Sequence, residues 1–196
     1  MTVYGKIENN KLVTAYNGYN GVIGLADSVE LCLANGFTAY TEEEISGYFT
    51  GTYKVIDGVL TNITSTPEYI AEQLTKAKAD KLAEIDLKAK DYEQNGTVEY
   101  KNCLFEMSDS NRKNLSDTQE ALTLQGLTST QWNSKDDTLV ELTIEDIQNI
   151  RLNLILGEIQ KLWLVKQPYY KNLVEKATTV DEVNAIVIDY SVDVTE

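Results

Sequence analysis

Histidine is absent from this chain of 196 residues. That removes the side chain most used as a general base, as the partner of an activated serine or cysteine, and as a metal ligand, so serine and cysteine triads are excluded. Cysteine is nearly as scarce. Cys32 and Cys103 stand far apart, without the C-x-x-C spacing of a zinc site or redox pair. Two buried thiols are one reading and a disulfide between them another; neither makes a disulfide-stapled scaffold. Basic residues are few, with 17 Lys and Arg against 31 Asp and Glu and a formal charge of -14. A surface that tracks nucleic-acid phosphates needs cations to displace counterions, so no nucleic-acid partner is expected. The acidity fits a solvated surface or a basic partner. No stretch approaches the roughly 18 apolar residues of a membrane span, and the N-terminus has no apolar signal core. The expectation is a soluble protein made in a cytoplasm, with no membrane contact.

What is present suits globular packing, with 42% hydrophobic residues and length for one ordinary domain or two small ones. Residues 3–8 and 11–16 alternate around Asn9-Asn10, two residues able to take positive φ, which predicts a hairpin. Ser28 to Ala34, stopped by Asn35-Gly36, reads as a short helix, and 37–40 as a return to the sheet. Thr41-Glu42-Glu43-Glu44 fits a capping box opening a helix to Phe49. Residues 52–56 and 59–63 flank Asp57-Gly58, the strongest hairpin signal in the chain.

Thr66-Pro67 supplies an N-cap with proline at the first helical position, and Asn95-Gly96 a stop. The helix between them carries only a narrow, alanine-diluted stripe, interrupted at Lys78 and Lys81. It reads as a linker that packs on its own domains or self-associates. Beyond it, Thr97–Tyr100 and Cys103–Glu106 form a hairpin around Lys101-Asn102. A helix follows from the Ser108-Asp109-Ser110-Asn111-Arg112 cluster to Gly126. A second strand pair turns at Lys135-Asp136-Asp137. Thr143 opens a long helix, apolar around much of its girth and expected to break or kink at Gln167-Pro168, and Thr178 to Val183 begins a last short one. The expected class is α+β: an N-terminal hairpin and helix unit (1–64), a linker helix (65–95), a C-terminal hairpin and helical unit (96–190) and an acidic tail (191–196).

The ordered series from Gly96-Thr97-Val98-Glu99-Tyr100-Lys101-Asn102-Cys103-Leu104-Phe105-Glu106-Met107-Ser108-Asp109, through Arg112, Leu115 and Trp132, to Val140-Glu141-Leu142-Thr143, resembles an uncharacterised accessory domain of bacteriophage tail-fibre and tail-fibre-assembly proteins. Family members often place glycine in the turn where this chain has Lys101-Asn102. The start, Val3 to Val13 together with Leu33-Ala34-Asn35-Gly36-Phe37, is similar to small tail proteins of phages and phage-tail-like particles of Gram-positive bacteria. The resemblance implies a non-enzymatic structural or adaptor component of a phage or phage-like contractile tail, at the baseplate or fibre attachment region. Its partners would be other tail, baseplate or fibre proteins or a second copy, and its place the host cytoplasm and then the particle. A fibre-assembly chaperone absent from the finished particle is the alternative, and a carbohydrate-processing enzyme a remote one.

No catalytic, cofactor-binding or metal-binding residue is assigned. The acids Asp109, Asp117, Asp136, Asp137 and Asp146 lack the spacing of a calcium loop, and each has a cap or turn role available. The candidate partner-binding residues are Tyr16, Tyr19, Val22, Ile23 and Trp132. The segment from Tyr16 to Ile23 combines glycines with apolar side chains, which suits close approach by a partner or burial within the unit. Trp132 serves either as an interface anchor or as packing on the long helix.

Overall fold

A computed structural model describes residues 2–16, 20 and 24–194. The fold is α+β, built from small antiparallel sheets and helices, and the chain divides into two compact units, Met1–Gln73 and Leu74–Glu196.

In the first unit, β1 (Thr2–Glu8), β2 (Lys11–Thr14) and β3 (Thr38–Thr41) form a sheet of order β2-β1-β3, with α1 (Val29–Ala34) between β2 and β3 in sequence. The turn residues Asn9 and Asn10 have φ of 50° and 63°, the left-handed pair that a two-residue hairpin needs. α2 (Glu42–Thr50) starts from the Thr41–Glu44 capping box and precedes the hairpin of β4 (Tyr53–Ile56) and β5 (Val59–Asn62). Among the described residues the buried cluster here is Leu25, Cys32 and Phe37, flanked by Tyr4, Val13 and Ala15. The Cys32 thiol donates to the Leu25 carbonyl at 3.0 Å, and both cysteines are free and buried.

α3 (Pro67–Asn95) begins where Thr66 Oγ1 accepts from the Tyr69 amide at 3.3 Å, as its proline predicts. The two units meet inside this helix, after Gln73, whereas the sequence reading sets its ends as the boundaries. From Leu74 onward α3 belongs to the second unit, with Ile85 and Ala89 fully buried. The lysines that interrupt its stripe are anchored: Lys78 donates to the Glu175 carbonyl at 2.9 Å and Lys81 to the Ile186 carbonyl at 3.3 Å.

The second unit continues with the hairpin of β6 (Thr97–Tyr100) and β7 (Cys103–Glu106), α4 (Asp109–Gln125), the hairpin of β8 (Ser129–Asn133) and β9 (Leu139–Thr143), the continuous helix α5 (144–176) and the short α6 (Val180–Asn184). α5 opens on a capping box between Thr143 and Asp146. It contains two π-helical turns, Ile150–Ile155 and Leu162–Lys166.

These turns correct two expectations for α5. Pro168 does not break the helix, because the π turn before it widens the backbone ladder just where a proline would lose a hydrogen bond and clash. The helix is also not buried around its girth. Its buried apolar residues and Lys166 form one file, Ile147, Ile150, Ile155, Ile159, Leu162, Lys166, Tyr170 and Val174, while Leu152, Leu156, Leu164 and Val165 stay exposed. The five-residue step from Ile150 to Ile155 would leave the face of a regular α-helix, and the i→i+5 bonding of the π turn restores it.

This file meets two apolar clusters. Ile147, Ile150, Ile155 and Ile159 pack with Phe105, Met107, Leu115 and Leu142. Leu162, Tyr170 and Val174 pack with Ile85 and Ala89 of α3 and with Ile188 and Tyr190. The C-terminal segment is therefore part of the second cluster, and Val194, read as tail, packs against it.

Gly157 lies within α5, and a Cβ added there meets nothing within 4 Å. Glycine inside a helix is entropically costly relative to alanine. Gly157→Ala is expected to raise stability by about 0.5–1 kcal/mol, measured by urea denaturation; a loss of stability would show that the space in front of this residue is not open.

Candidate functional site

Two ionic centres organise the face of the second unit on which β6 meets α5. The first is Asp146, in the opening turn of α5. Its Oδ1 accepts from the Tyr100 hydroxyl at 2.7 Å, and its Oδ2 accepts from Lys101 Nζ at 2.7 Å and from the Thr143 amide at 2.8 Å. Burial by itself would raise the carboxyl pKa, but the bonds from Lys101, Thr143 and Tyr100 outweigh it and hold the group well below the usual aspartate range. The same bonds explain the turn. Lys101 and Asn102 adopt φ of 50° and 58°, a conformation costly for lysine, and the Lys101 ammonium is tied back to Asp146 in return.

The second centre is Lys166, whose side chain is only 4% exposed. It donates to Glu158 Oε1 at 2.5 Å and to the Tyr190 carbonyl at 2.8 Å, and it lies over the Tyr92 ring at 5.5 Å. The Tyr92 hydroxyl donates to the same Glu158 oxygen at 3.2 Å; burial and then the Glu158 charge push its pKa up to about 12. Lys166 thus binds α3, α5 and the C-terminal segment together. Gln167 and Lys171 add contacts to Asp86 of α3, each at 2.8 Å, and Trp163 Nε1 donates to Glu93 at 3.0 Å.

Two cavities open along β6. One of about 380 Å³ includes Thr97, Val98 and Glu99 of β6, Asn153, Gly157 and Glu158 of α5, and Lys166. The other, about 580 Å³, extends from Tyr100 to Glu145, Gln148 and Asn149, and Asn153 lines both. Lys166 is engaged by a carboxylate, a carbonyl and the Tyr92 ring, and Asp146 by three donors. Among the described residues no three His, Cys, Asp or Glu side chains gather as a metal site, and no helix is long and apolar enough to cross a membrane.

Of the residues selected from sequence, Trp132 is half-buried against the cluster that holds Phe105 and Leu142, and Tyr16 is exposed. Tyr19, Val22 and Ile23 lie outside the described residues. The sequence reading missed Lys166, Glu158, Tyr92 and Tyr100. A capping-box position was the visible signal for Asp146, while nothing local marks Lys166 as buried. Comparison of the chain with protein-family models, curated proteins and solved structures finds no match in any of the three.

Removing the Asp146 carboxylate costs the helix cap and the bonds to Tyr100 and Lys101. Asp146→Ala is expected to lose about 2–4 kcal/mol at neutral pH. Because the folded-state pKa is depressed, this contribution is complete above the unfolded value of about 4 and falls as pH drops through the acid range. Urea titrations at neutral pH and near pH 3 should show the gap to wild type narrowing in acid; a constant gap contradicts the assignment.

Lys166→Met leaves Glu158 without its hydrogen-bonded ammonium, with only Lys161 at 3.9 Å, and is expected to cost about 3 kcal/mol, with Glu158→Gln in the same chain recovering part of the loss. Additive losses in that double-mutant cycle would mean that the pair is not coupled.

Proposed function

We propose that this protein is a structural or adaptor component of a phage or phage-like contractile tail, at the baseplate or fibre attachment region, working through protein contacts and not catalysis. The tail assignment rests on the resemblance from Gly96 to Thr143. The observation that carries the contact mechanism is the apolar surface of the first unit. There Val29 and Leu33 lie one turn apart on α1, Phe49 stands on α2, and Ile56 faces Val59 across the β4–β5 turn, all of them exposed. Phe49 is 69% and Val59 62% exposed. We read these large exposed apolar side chains as the surface that another protein covers.

The test is the composition of finished particles. A structural component is present in purified tails at fixed stoichiometry by mass spectrometry, and a fibre-assembly chaperone is missing from them. Replacing both Phe49 and Val59 by Asp should change the stability of the isolated protein by less than about 1 kcal/mol, because both are exposed. The same change should lower incorporation by roughly tenfold or more. Normal incorporation would place the contact elsewhere, and absence of the wild-type protein from tails would favour the chaperone.

A further inference from the structure

β6 and β7 pair only with each other, and their outer edges are finished differently. The two-residue turn makes Tyr100 and Cys103 a hydrogen-bonded pair, and alternation gives Val98 and then Gly96 the same state. The Met107 amide donates to the Gly96 carbonyl at 2.9 Å, as that parity requires. The backbone groups of Thr97 and Glu99 therefore point away from β7. On the other strand the equivalent residue is Leu104, and both of its groups are used: its amide donates to Asp136 Oδ1 at 3.3 Å, and its carbonyl accepts from the Lys135 amide at 2.9 Å. The turn between β8 and β9 thus covers the β7 edge. Among the described residues nothing bonds to the outward backbone groups of Thr97 and Glu99.

This open edge borders the two cavities, of about 380 and 580 Å³. An added strand sits about 4.8 Å from its neighbour and needs little depth. Gly157, without a side chain, leaves open space on the α5 side of the first cavity. The charges in and beside the two cavities are unequal. Glu158 and Asp146 are matched by Lys166 and Lys101, and Asp193 lies 3.8 Å from Lys166. Lys161 lies 3.9 Å from Glu158. Glu99 and Glu145 make no ion pair among the described residues, so the groove keeps an excess of negative charge.

We propose that the β6 edge receives an extended segment of a partner protein bearing lysine or arginine, which adds as a third strand to the β6–β7 sheet. Main-chain bonds to Thr97 and Glu99 would supply affinity, and Glu99 and Glu145 would select basic side chains. The proposal deepens the protein-contact reading and borrows from it only the idea that a partner exists. Its experiment uses the isolated full chain and no particle, so the two fail separately.

The probe is a peptide of about ten residues alternating lysine and valine, titrated into isotope-labelled protein and followed by NMR and hydrogen exchange. The amides of Thr97 and Glu99 are expected to shift and to exchange more slowly. The same peptide with glutamate for lysine should not bind, and N-methylation of the residues facing β6 should weaken binding by at least about tenfold. Glu99→Pro removes an outward amide while keeping the bonds to β7, and Gly157→Phe fills the cavity from α5. Each should weaken binding by at least about tenfold. Should Glu99→Pro fail to fold, Gly157→Phe and the methylated peptide still decide. No binding at millimolar peptide, equal binding of the glutamate peptide, indifference to N-methylation, or shifts that bypass Thr97 and Glu99 would each overturn the proposal.

Discussion

The second unit depends on keeping one buried file along α5. A helix in contact with two apolar clusters has to aim residues at both without turning its polar positions inward. The file from Ile147 to Val174 does so only because π turns interrupt the α-helical ladder. Without the extra residue between Ile150 and Ile155, every later residue would rotate by about 100°, and Ile159, Leu162 and Tyr170 would leave their partners. The π turns are thus a condition of packing and not a local irregularity.

The polar ties follow from this constraint. Lys166 belongs to the buried file, so its ammonium enters the apolar second cluster and needs a counter-charge, which Glu158 supplies from two turns earlier on the same helix. An isolated buried charge is prohibitive, whereas a paired ammonium that also bonds a carbonyl is tolerable and directional. Its bond to the Tyr190 carbonyl fixes the C-terminal segment, and Tyr190 in turn donates to the Ile85 carbonyl of α3 at 3.1 Å. Asp146 does similar work at the start of α5, where one carboxylate caps the helix and holds the β6–β7 turn.

Much of the secondary structure was legible because it is written in short-range chemistry. Asn9-Asn10 and Asp57-Gly58 specify turns, and Ser28, Thr41, Thr66, Ser108, Thr143 and Thr179 start helices wherever their side chains can accept a nearby amide. The site was far less legible. Reading α5 with a uniform 3.6-residue period puts Ile155 about 140° from Ile150 and Val174 about 180° from Ile147, so the helix reads as apolar around much of its girth. Only a change of ladder, decided by tertiary packing, resolves the pattern into one stripe. Lys166 was invisible for the same reason, since a lysine between Val165 and Gln167 has no local mark of burial. The alanines of α3 look uncommitted in sequence, and the burial of Ile85 and Ala89 against α5 is what ties this helix from Leu74 onward to the second unit.

The same register change connects the core to the surface. By bringing Ile155 inward, the first π turn sends Leu152 and Asn153 outward, and these residues line the cavities beside β6. Folding thus spends a weaker helical ladder on both packing and the shape of the groove, and the two cannot be altered independently. The contrast between strand edges has the same logic. Ser134 donates to Asp136 at 2.7 Å, fixing the turn that covers β7, whereas a matching cover over β6 would occupy the space that α5 leaves open. An uncovered strand edge invites aggregation and is usually blunted by charge, and Glu99 lies at the middle of this one. A carboxylate there repels acidic copies of the same chain, and under the proposed strand addition the same residue would favour a basic segment.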